Sequence, residues 1–388
     1  MLFVSLALIA LMTVSGQQEG ESCTDVITKA VGRCKPLIQC EIGKIDYITL
    51  GKKPTFCSYR VHGQPVICCR EEFNVTTAEN PSHNEQIPVG TNGEKVTRRL
   101  SERKCEEYSS FAPKEVPIAL LPDPAPTPIT CDYDFISIGG DNARPGQYPH
   151  MAAIGWLDSN NKYVFSCGGS LISPRFVLTS GQCSSKRGSK DHAPAIVRLG
   201  DQNLDDKVDD GASPIDVPIG HIHKHPEFLP PKAYNNIALL ELATDVAFNN
   251  YIRPACLWTK PNFPGYKNAV NSGWGESYSA NKEMTKQLKR VVLLLLENDI
   301  CQSMLPVPAT YQILMNTQVC AAKLGAQDFC QGEPGSPLQV TSRDSPCIFH
   351  IIGITSLGRT CEDNKRPSVY TRVSSYLDWI EKIVWPNE

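Results

Sequence analysis

The arrangement of apolar residues predicts a distinct element at each end of this 388-residue chain. Residues 1–16 form an apolar run that ends in small residues, which is typical of a secretory signal peptide cleaved near Gly16. A membrane anchor is the alternative, but the run is short for a bilayer span. Between residues 374 and 384, apolar residues recur at helical spacing after two serines. We therefore predict a C-terminal helix that packs on the preceding domain.

Most of the region 137–388 has a different pattern, in which short apolar runs are separated by Gly, Pro and Asn. Runs such as 163–165, 176–178 and 351–354 are rich in β-branched and aromatic residues. This spacing predicts an all-β domain of the sandwich or barrel type. The segment 70–136 is instead polar and then rich in proline. It predicts a semi-extended linker, with the part around Cys105 tied down.

The chain contains sixteen cysteines, and an even count of this size in a secreted protein predicts disulfides rather than metal ligands. Six of them lie in residues 23–69. A domain this small needs covalent bridges for stability, and the sequence alone allows fifteen pairings of six cysteines. Asn74 begins an Asn-Val-Thr glycosylation acceptor. The net charge of -3 gives no electrostatic case for nucleic-acid binding.

Two groups of residues raise the question of a metal site. The acidic stretch from Asp201 to Asp210 offers oxygen ligands that suit calcium, although a solvated acidic loop is the favoured interpretation. His221, His223 and His225 lie on a predicted strand and turn, where surface histidines are the favoured interpretation over a metal cluster. We predict no metal or cofactor from these residues.

Several motifs occur in order along the second half of the chain, including CGGSLI at 167–172, GWG at 273–275 and CQGEPGSPL at 330–338. Further motifs lie at 137–140, 178–183, 234–240 and 367–373. Together they resemble the trypsin-like serine protease domain over residues 137–388. The resemblance implies two six-stranded antiparallel β-barrels with a C-terminal helix. The six cysteines of residues 23–69, which end in the pair Cys68-Cys69, resemble the clip domain of arthropod proteases.

The resemblance implies a catalytic triad of serine, histidine and aspartate, but this chain has none of the three at the matching positions. The nucleophile position holds Pro334, the base position Gln182 and the acid position Asn236. Loss of the nucleophile or base alone typically lowers turnover by about 10⁶. We therefore predict a non-catalytic protein. Ser336, where the family has glycine, is interpreted as a structural residue.

Activation is also predicted to differ from that of the family, whose members are cut after Arg or Lys. The matching bond here joins Ile136 to Ser137, and Glu333 replaces the aspartate that pairs with the new N-terminus. The basic residues between 98 and 104 offer other cleavage sites, although solvated loop charge is the favoured interpretation.

The resemblance implies a substrate pocket with Asp328 at its base and Gly358 and Ser368 at its mouth. A retained cleft for basic side chains is one interpretation of these residues. An acid that is now solvated or locally paired is the other, and both stay open.

The disulfide pattern is also implied by the resemblance. Ala269 occupies the usual partner position of Cys347, so we pair Cys347 with Cys105, with two free thiols as the alternative. The other implied bridges are Cys23–Cys68, Cys34–Cys57, Cys40–Cys69, Cys131–Cys256, Cys167–Cys183, Cys301–Cys320 and Cys330–Cys361.

The family resemblance implies a secreted regulator in an extracellular proteolytic cascade, either in innate immunity, such as melanisation or Toll-type signalling, or in development. The expected partners are extracellular proteases, their zymogens or their substrates. An inhibitor-binding decoy that engages serpins through Asp328, or a microbial-surface recognition protein, is the alternative. A residual hydrolase with an unconventional site is the least favoured hypothesis.

Overall fold

The computed structural model divides the chain into two compact units, Met1–Glu94 and Lys95–Glu388. Several segments for which we made predictions lie outside the described residues, namely the signal peptide, Asn74 and the bond between residues 136 and 137. The structure describes residues 20–24, 31–36, 40, 55–59, 65–70, 98–112, 141–185, 192–275, 286–305, 316–323, 333–342, 345, 347–357 and 367–388.

The first unit is built on a four-stranded antiparallel sheet in the order β1-β2-β4-β3. Bridges join Cys23 to Cys68, Cys34 to Cys57 and Cys40 to Cys69, and the buried core consists largely of these cystines. So little apolar volume explains why covalent bridges are needed here. The strands are β1 (Ser22–Thr24), β2 (Val31–Pro36), β3 (Phe56–Tyr59) and β4 (Pro65–Arg70).

The second unit contains two β-barrels, as the sequence predicted. Its strands are β5 (Asp141–Asn142), β6 (Met151–Leu157), β7 (Tyr163–Leu171), β8 (Phe176–Thr179), β9 (Ile196–Leu199), β10 (Ile215–Lys224), β11 (Ala238–Leu242), β12 (Cys256–Leu257), β13 (Asn268–Gly273), β14 (Lys289–Leu296), β15 (Gln318–Lys323), β16 (Pro337–Thr341), β17 (Phe349–Leu357) and β18 (Ser368–Arg372).

The first barrel is closed in the order β10-β11-β8-β7-β6-β9, around a core that includes Trp156 and Leu199. The second barrel joins β13, β14, β15, β18, β17 and β16 through antiparallel pairs. Strand β12 adds to β17 in parallel, and β5 adds to β14. A third apolar core lies between elements of both barrels and includes Trp274 and Ile351. The segments that hold Gln182, Asn236 and Pro334 meet in one region of this unit.

Three α-helices accompany the barrels in the described residues: α1 (Leu100–Ser109), α2 (Asn298–Met304) and α3 (Leu377–Val384). Helix α3 confirms the predicted C-terminal helix, with a 3₁₀ turn over Val373–Tyr376 before it. Its apolar face is buried because Leu377, Ile380 and Val384 share the helical spacing of one side.

Helix α1 shows that one part of the predicted linker is not extended. Arg99 Nε donates to Glu381 Oε1 at 3.2 Å, and the backbone N–H of Ser101 donates to the same oxygen at 3.0 Å. Trp385 Nε1 donates to Tyr108 Oη at 3.3 Å. These contacts to α3 and the residues after it stabilise a helix that has almost no apolar face of its own. Lys104, a proposed cleavage site, lies within this helix and pairs with Glu107 and Glu388.

The structure contradicts two of the implied disulfide pairings. Cys105 is bonded to Cys256, with 4.9 Å between their Cα atoms, so neither Cys105–Cys347 nor Cys131–Cys256 forms. The reason is that α1 packs against β12, which carries Cys256. Cys347 is also disulfide-bonded, and its partner lies outside the described residues. The bridges Cys167–Cys183 and Cys301–Cys320 are present, whereas Cys131, Cys330 and Cys361 are not described.

None of the helices in the described part of the chain is long and apolar enough to cross a membrane.

Candidate functional site

Gln182, Asn236 and Pro334, the three residues at the predicted triad positions, lie together. Gln182 is in a 3₁₀ turn after β8, Asn236 precedes β11, and Pro334 precedes β16. The N–H of Gln182 donates to Asn236 Oδ1 at 3.0 Å. Cys183 Sγ, one residue on, lies 3.3 Å from the carbonyl oxygen of Pro334. The fold thus brings together the three predicted triad positions from three separate segments.

Asn236 is the buried centre of this group, with only 1% of its surface exposed. Its Nδ2 donates to Ser356 Oγ at 2.9 Å, while its Oδ1 accepts from Gln182. Ser356 Oγ is also 3.4 Å from the carbonyl oxygen of Ala233 and can donate to it. An amide supplies both a donor and an acceptor, so it satisfies this neutral network without placing a charge in the interior.

Gln182 closes the network from the exposed side. Its Nε2 donates to the carbonyl oxygen of Ser356 at 3.3 Å. The amide of Gln182 therefore occupies a backbone acceptor at the end of β17 instead of facing a nucleophile. Its side chain cannot take up a proton near pH 7. The role of Ser356 as the acceptor for both amides was not apparent from the sequence, because it depends on the distance between β17 and two loops.

Pro334 and Gly335 form a tight turn at the nucleophile position. Ser336 N donates to the carbonyl oxygen of Glu333 at 3.2 Å, and Gly335 has a φ of +87°. Proline followed by glycine with positive φ is the favoured composition of a type II β-turn. The carbonyl oxygen of Pro334 accepts from Gly168 N at 2.9 Å, and Gly335 N donates to Thr355 O at 3.0 Å. The proline thus stabilises a turn whose two central residues carry no hydroxyl.

Glu333 places a carboxyl group in the interior beside this turn. Its side chain lies against Gly168 and Gly273, and its Oε1 accepts from Trp274 N at 3.2 Å. Burial raises the pKa of Glu333. The Ser336 hydroxyl lies next to the carboxyl group, but neither Ser336 Oγ nor Glu333 Oε2 has a hydrogen bond of good geometry in the described residues. The described residues also give Glu333 no cationic partner.

A second buried polar group, His150, lies where β6 of the first barrel approaches the second barrel. His150 Nε2 is hydrogen-bonded to Gln339 Oε1, and Gln339 Nε2 donates to Ser272 Oγ at 3.1 Å. His150 Nδ1 has no partner in the described residues. This pattern fits a neutral ring with its proton on Nε2. Burial lowers the pKa of His150 to about 4, and the nearby Arg253 acts in the same direction.

We expect His150 to make the second unit less stable in acid. The ring stays neutral in the folded state, while in the unfolded chain it takes up a proton below its ordinary pKa of 6.5. The contribution of the neutral His150 to the free energy of unfolding is therefore fully present above pH 6.5 and is lost as the pH falls towards 4. The loss is roughly 3 kcal/mol, since each pKa unit corresponds to about 1.36 kcal/mol. Unfolding of wild type and His150→Gln at pH 7 and pH 4.5 measures this loss.

The control for this experiment is His223→Gln, a half-buried histidine on β10 of the first barrel. His225 and His350 also have lowered pKa values, so only the difference between wild type and each variant is informative. We expect His150→Gln to reduce the pH dependence more than His223→Gln does. Equal slopes in all three proteins would contradict the assignment.

The other predicted site residues are distributed differently. Ser368 lies on β18, half-buried, while Asp328 and Gly358 of the predicted pocket are outside the described residues. His223 Nε2 is 3.2 Å from Glu241 Oε2. His225 instead packs on Tyr376 and Trp379, so the three histidines do not converge.

The acidic stretch from Asp201 to Asp210 has cationic partners within the protein. Arg198 Nη1 lies 2.7 Å from Asp206, and Lys286 Nζ lies 2.9 Å from Asp205. Asp201, Asp205, Asp209 and Asp210 also accept backbone N–H groups of their own loop. The described residues bring no three acidic or histidine ligand atoms together here. The carboxylates of this loop are therefore already engaged in ion pairs and turns.

Comparison with known proteins connects this fold to a family. The family described as Trypsin matches residues 137–380. The chain is 31% identical over 379 residues to serine protease snk of Drosophila melanogaster, covering 95% of this chain and 80% of that protein. It is 29% identical over 377 residues to phenoloxidase-activating factor 1 of Holotrichia diomphalia, covering 91% of each.

A further relative has the clip domain in its name. The chain is 30% identical over 271 residues to CLIP domain-containing serine protease B14 of Anopheles gambiae, covering 63% of this chain and 71% of that protein. The two barrels, the C-terminal helix and the disulfide-rich first unit agree with these matches. The chain belongs to the trypsin family of serine proteases and their homologues, with relatives among the clip-domain proteins of arthropods.

Proposed function

We propose that this protein is a secreted, non-catalytic member of its family that acts as a regulator or adaptor in an extracellular proteolytic cascade. The observation that carries the proposal is the neutral network of Gln182, Asn236 and Ser356 beside the Pro334 turn. Each triad position contributes an amide or a carbonyl to a hydrogen bond. None contributes a group that could attack a peptide bond or accept its proton.

The chemistry of acyl transfer supports a binding role. The reaction needs a nucleophile, a base that ionises near neutral pH and a carboxylate that orients the base. Asn236 could orient an imidazole only weakly, and Gln182 supplies none. Removal of the whole triad leaves only about 10³–10⁴ over the uncatalysed reaction in an enzyme whose other parts are intact. In a protein without catalysis, the barrels and their disulfides then serve to hold a binding surface in a fixed shape.

The names of the relatives support a role in a cascade. Phenoloxidase-activating factor 1 is named for the activation of another protein, and it aligns with this chain over 91% of both lengths. A homologue that retains the same two-unit organisation, but not the catalytic groups, is suited to bind a protease, a zymogen or a substrate. Fold similarity alone does not identify the binding partner, so the partner has to be identified by experiment.

Crosslinked co-purification from native extracellular fluid tests this proposal. The full chain, tagged at its C-terminus, is added to the fluid before and after an immune challenge, crosslinked and recovered. We expect enrichment of a protease, a zymogen or a protease substrate over a tagged active relative treated with an irreversible inhibitor. Recovery of none of these classes in either condition would contradict the adaptor role.

Restoring the triad residues alone is expected to give no enzyme. The variant Gln182→His, Asn236→Asp, Pro334→Ser should hydrolyse no peptide amide substrate after trypsin treatment, because residues 136 and 137 still lack the basic cleavage site. Rates at least about 10⁶ below those of an active relative are expected, as for an enzyme without its nucleophile.

A fluorophosphonate probe and a chromogenic amide substrate measure this outcome in the wild type and the triple variant. A matched variant adds Ile136→Arg, Ser137→Ile and Glu333→Asp to the triple variant, so that cleavage and N-terminal pairing become possible. Probe labelling of the wild-type protein would overturn the non-catalytic proposal. Activity of the triple variant alone would instead show that activation does not depend on residues 136 and 137.

A further inference from the structure

A cavity of about 490 Å³ lies on the second barrel, and it shares no residue with the cluster around Asn236. Its size is within the range of roughly 300–1,000 Å³ that is typical of ligand pockets. The cavity is lined by Asn262, Phe263, Pro264, Tyr266, Lys267, Leu294, Leu295, Leu296, Glu297, Asn298, Val319 and Arg372.

One wall of the cavity is aromatic and held in place by its neighbours. Phe263 and Tyr266 pack on Trp258, with ring centroids 5.9 Å and 5.5 Å away. Trp258 Nε1 donates to Asn262 O at 3.0 Å, and Tyr266 Oη donates to Thr341 O at 2.8 Å. This wall is therefore formed before any ligand arrives, which lowers the entropy cost of binding.

The lining residues from β14 form an aliphatic wall that is only partly covered. Leu293 is buried in the barrel core, whereas Leu294, Leu295 and Leu296 at the end of β14 are half-buried. Binding of an apolar group that covers these partly exposed leucines is favourable, because it removes apolar surface from water. The two walls together favour a ligand with an apolar body.

Arg372 at the end of β18 adds a positive charge to this apolar setting. Its Cζ lies 5.0 Å from the centroid of the Phe263 ring. Its Nη1 and Nη2 donate to the carbonyl oxygens of Pro261 and Gln318, and its Nε has no acceptor in the described residues. These acceptors are neutral, and no carboxylate of the described residues pairs with Arg372. Burial lowers its pKa, and Glu297 only partly offsets that effect.

A half-buried cation without a carboxylate partner is unfavourable, and an anionic ligand group would remove this penalty. Asn298, which also lines the cavity, has in Nδ2 a second donor without an acceptor in the described residues. The cavity thus has donors that its own described residues leave without acceptors. An acidic group next to apolar groups is the ligand chemistry that complements it.

The surroundings of the cavity favour a polypeptide over a free small molecule. Helix α2 begins at the cavity with Asn298 and carries Ile300 and Met304, which are 50% and 42% exposed. Both residues are exposed apolar side chains on the helix whose first residue lines the cavity. A ligand long enough to cover both the cavity and this helix is a chain segment.

We propose that this cavity binds a segment of a protein partner in which an acidic side chain is flanked by apolar residues. The carboxylate lies on Arg372, and the apolar side chains lie between the aromatic wall and the leucines. This site is separate from the cluster around Asn236. It gives a protein without a triad a second means of recognition.

Fluorescence anisotropy with the full chain tests the site. The probe is a labelled peptide with the core Leu-Glu-Phe-Leu, and its counterpart carries Gln in place of Glu. We expect saturable binding of the Glu peptide, at least about tenfold tighter than the Gln peptide, as one charge-assisted hydrogen bond provides. Arg372→Gln should abolish this preference, and Arg175→Gln on the first barrel is the matched control.

A second variant keeps the test decisive if Arg372→Gln does not fold. The exposed Glu297 makes no capping hydrogen bond with its side chain, so Glu297→Gln removes a competing carboxylate without loss of structure. It should strengthen binding of the Glu peptide about threefold. No saturable binding below about 1 mM, equal binding of both peptides, or no response to either cavity variant would overturn the proposal. Competition by octanoate with no preference for the peptides would assign the cavity to free small anions instead, and would also overturn it.

Discussion

Removal of the Cys105–Cys256 bridge is expected to destabilise the second unit by about 4–5 kcal/mol. The bridge spans 151 residues of sequence, and the chain-entropy cost of a cross-link rises with the length of the loop that it closes. The double variant Cys105→Ser, Cys256→Ser avoids a free thiol. All five tryptophans lie in residues 95–388, so their fluorescence during guanidinium unfolding reports on this unit.

The matched control is Cys301→Ser, Cys320→Ser, which removes a bridge of sequence separation 19. The same loop-entropy argument gives a smaller loss of about 3 kcal/mol. The difference also tests the position of α1, because only the longer bridge joins this helix to β12. A loss from the longer bridge that does not exceed the loss from the shorter one would contradict the role given to Cys105.

Gly335→Ala is expected to cost more than about 3 kcal/mol, because the alanine methyl has no room at the turn. A Cβ on Gly335 would overlap Thr179 Oγ1 and the carbonyl oxygen of Gly168, and the Gly168 backbone cannot move away without breaking its hydrogen bond to Pro334. The φ of +87° adds backbone strain for any L side chain. Overpacking of a rigid interior accounts for most of the expected cost.

Gly211→Ala separates the two contributions in the same protein. Gly211 has a φ of +73°, but a Cβ there would meet nothing within 4 Å. Its substitution should cost only about 1 kcal/mol, from backbone strain. Tryptophan fluorescence in guanidinium measures both variants. If Gly335→Ala costs no more than Gly211→Ala, the packing of the Pro334 turn against Gly168 is wrong.

Helix α3 and the all-β character of the second unit could be predicted because their information is local, whereas the two-barrel arrangement was implied by the family resemblance. Runs of β-branched residues set the strands, and the spacing of Leu377, Ile380 and Val384 sets an amphipathic helix. The motifs that surround Gln182 and Pro334 likewise located the candidate cleft, because they are short and occur in a fixed order.

Helix α1 could not be predicted in this way, since LSERKCEEYS has no apolar periodicity. Its stability comes from Glu381, Trp385 and Cys256, which are distant in sequence. The pairing of Cys105 failed for the same reason. Two cysteines can pair only if their Cα atoms come close enough, and for Cys105 this depends on where α1 packs. The number and order of cysteines in the sequence do not give that distance.

By itself, the sequence determined the fold and the family and predicted which residues occupy the triad positions, because these depend on residue type, spacing and order. Only the tertiary structure decided how those residues interact: that Asn236 and Gln182 both bond to Ser356, that Pro334 forms a turn with Gly335, and that Arg372 faces an apolar cavity. These features arise where loops and strand ends from distant parts of the chain come within about 3 Å of each other, the range over which hydrogen bonds form.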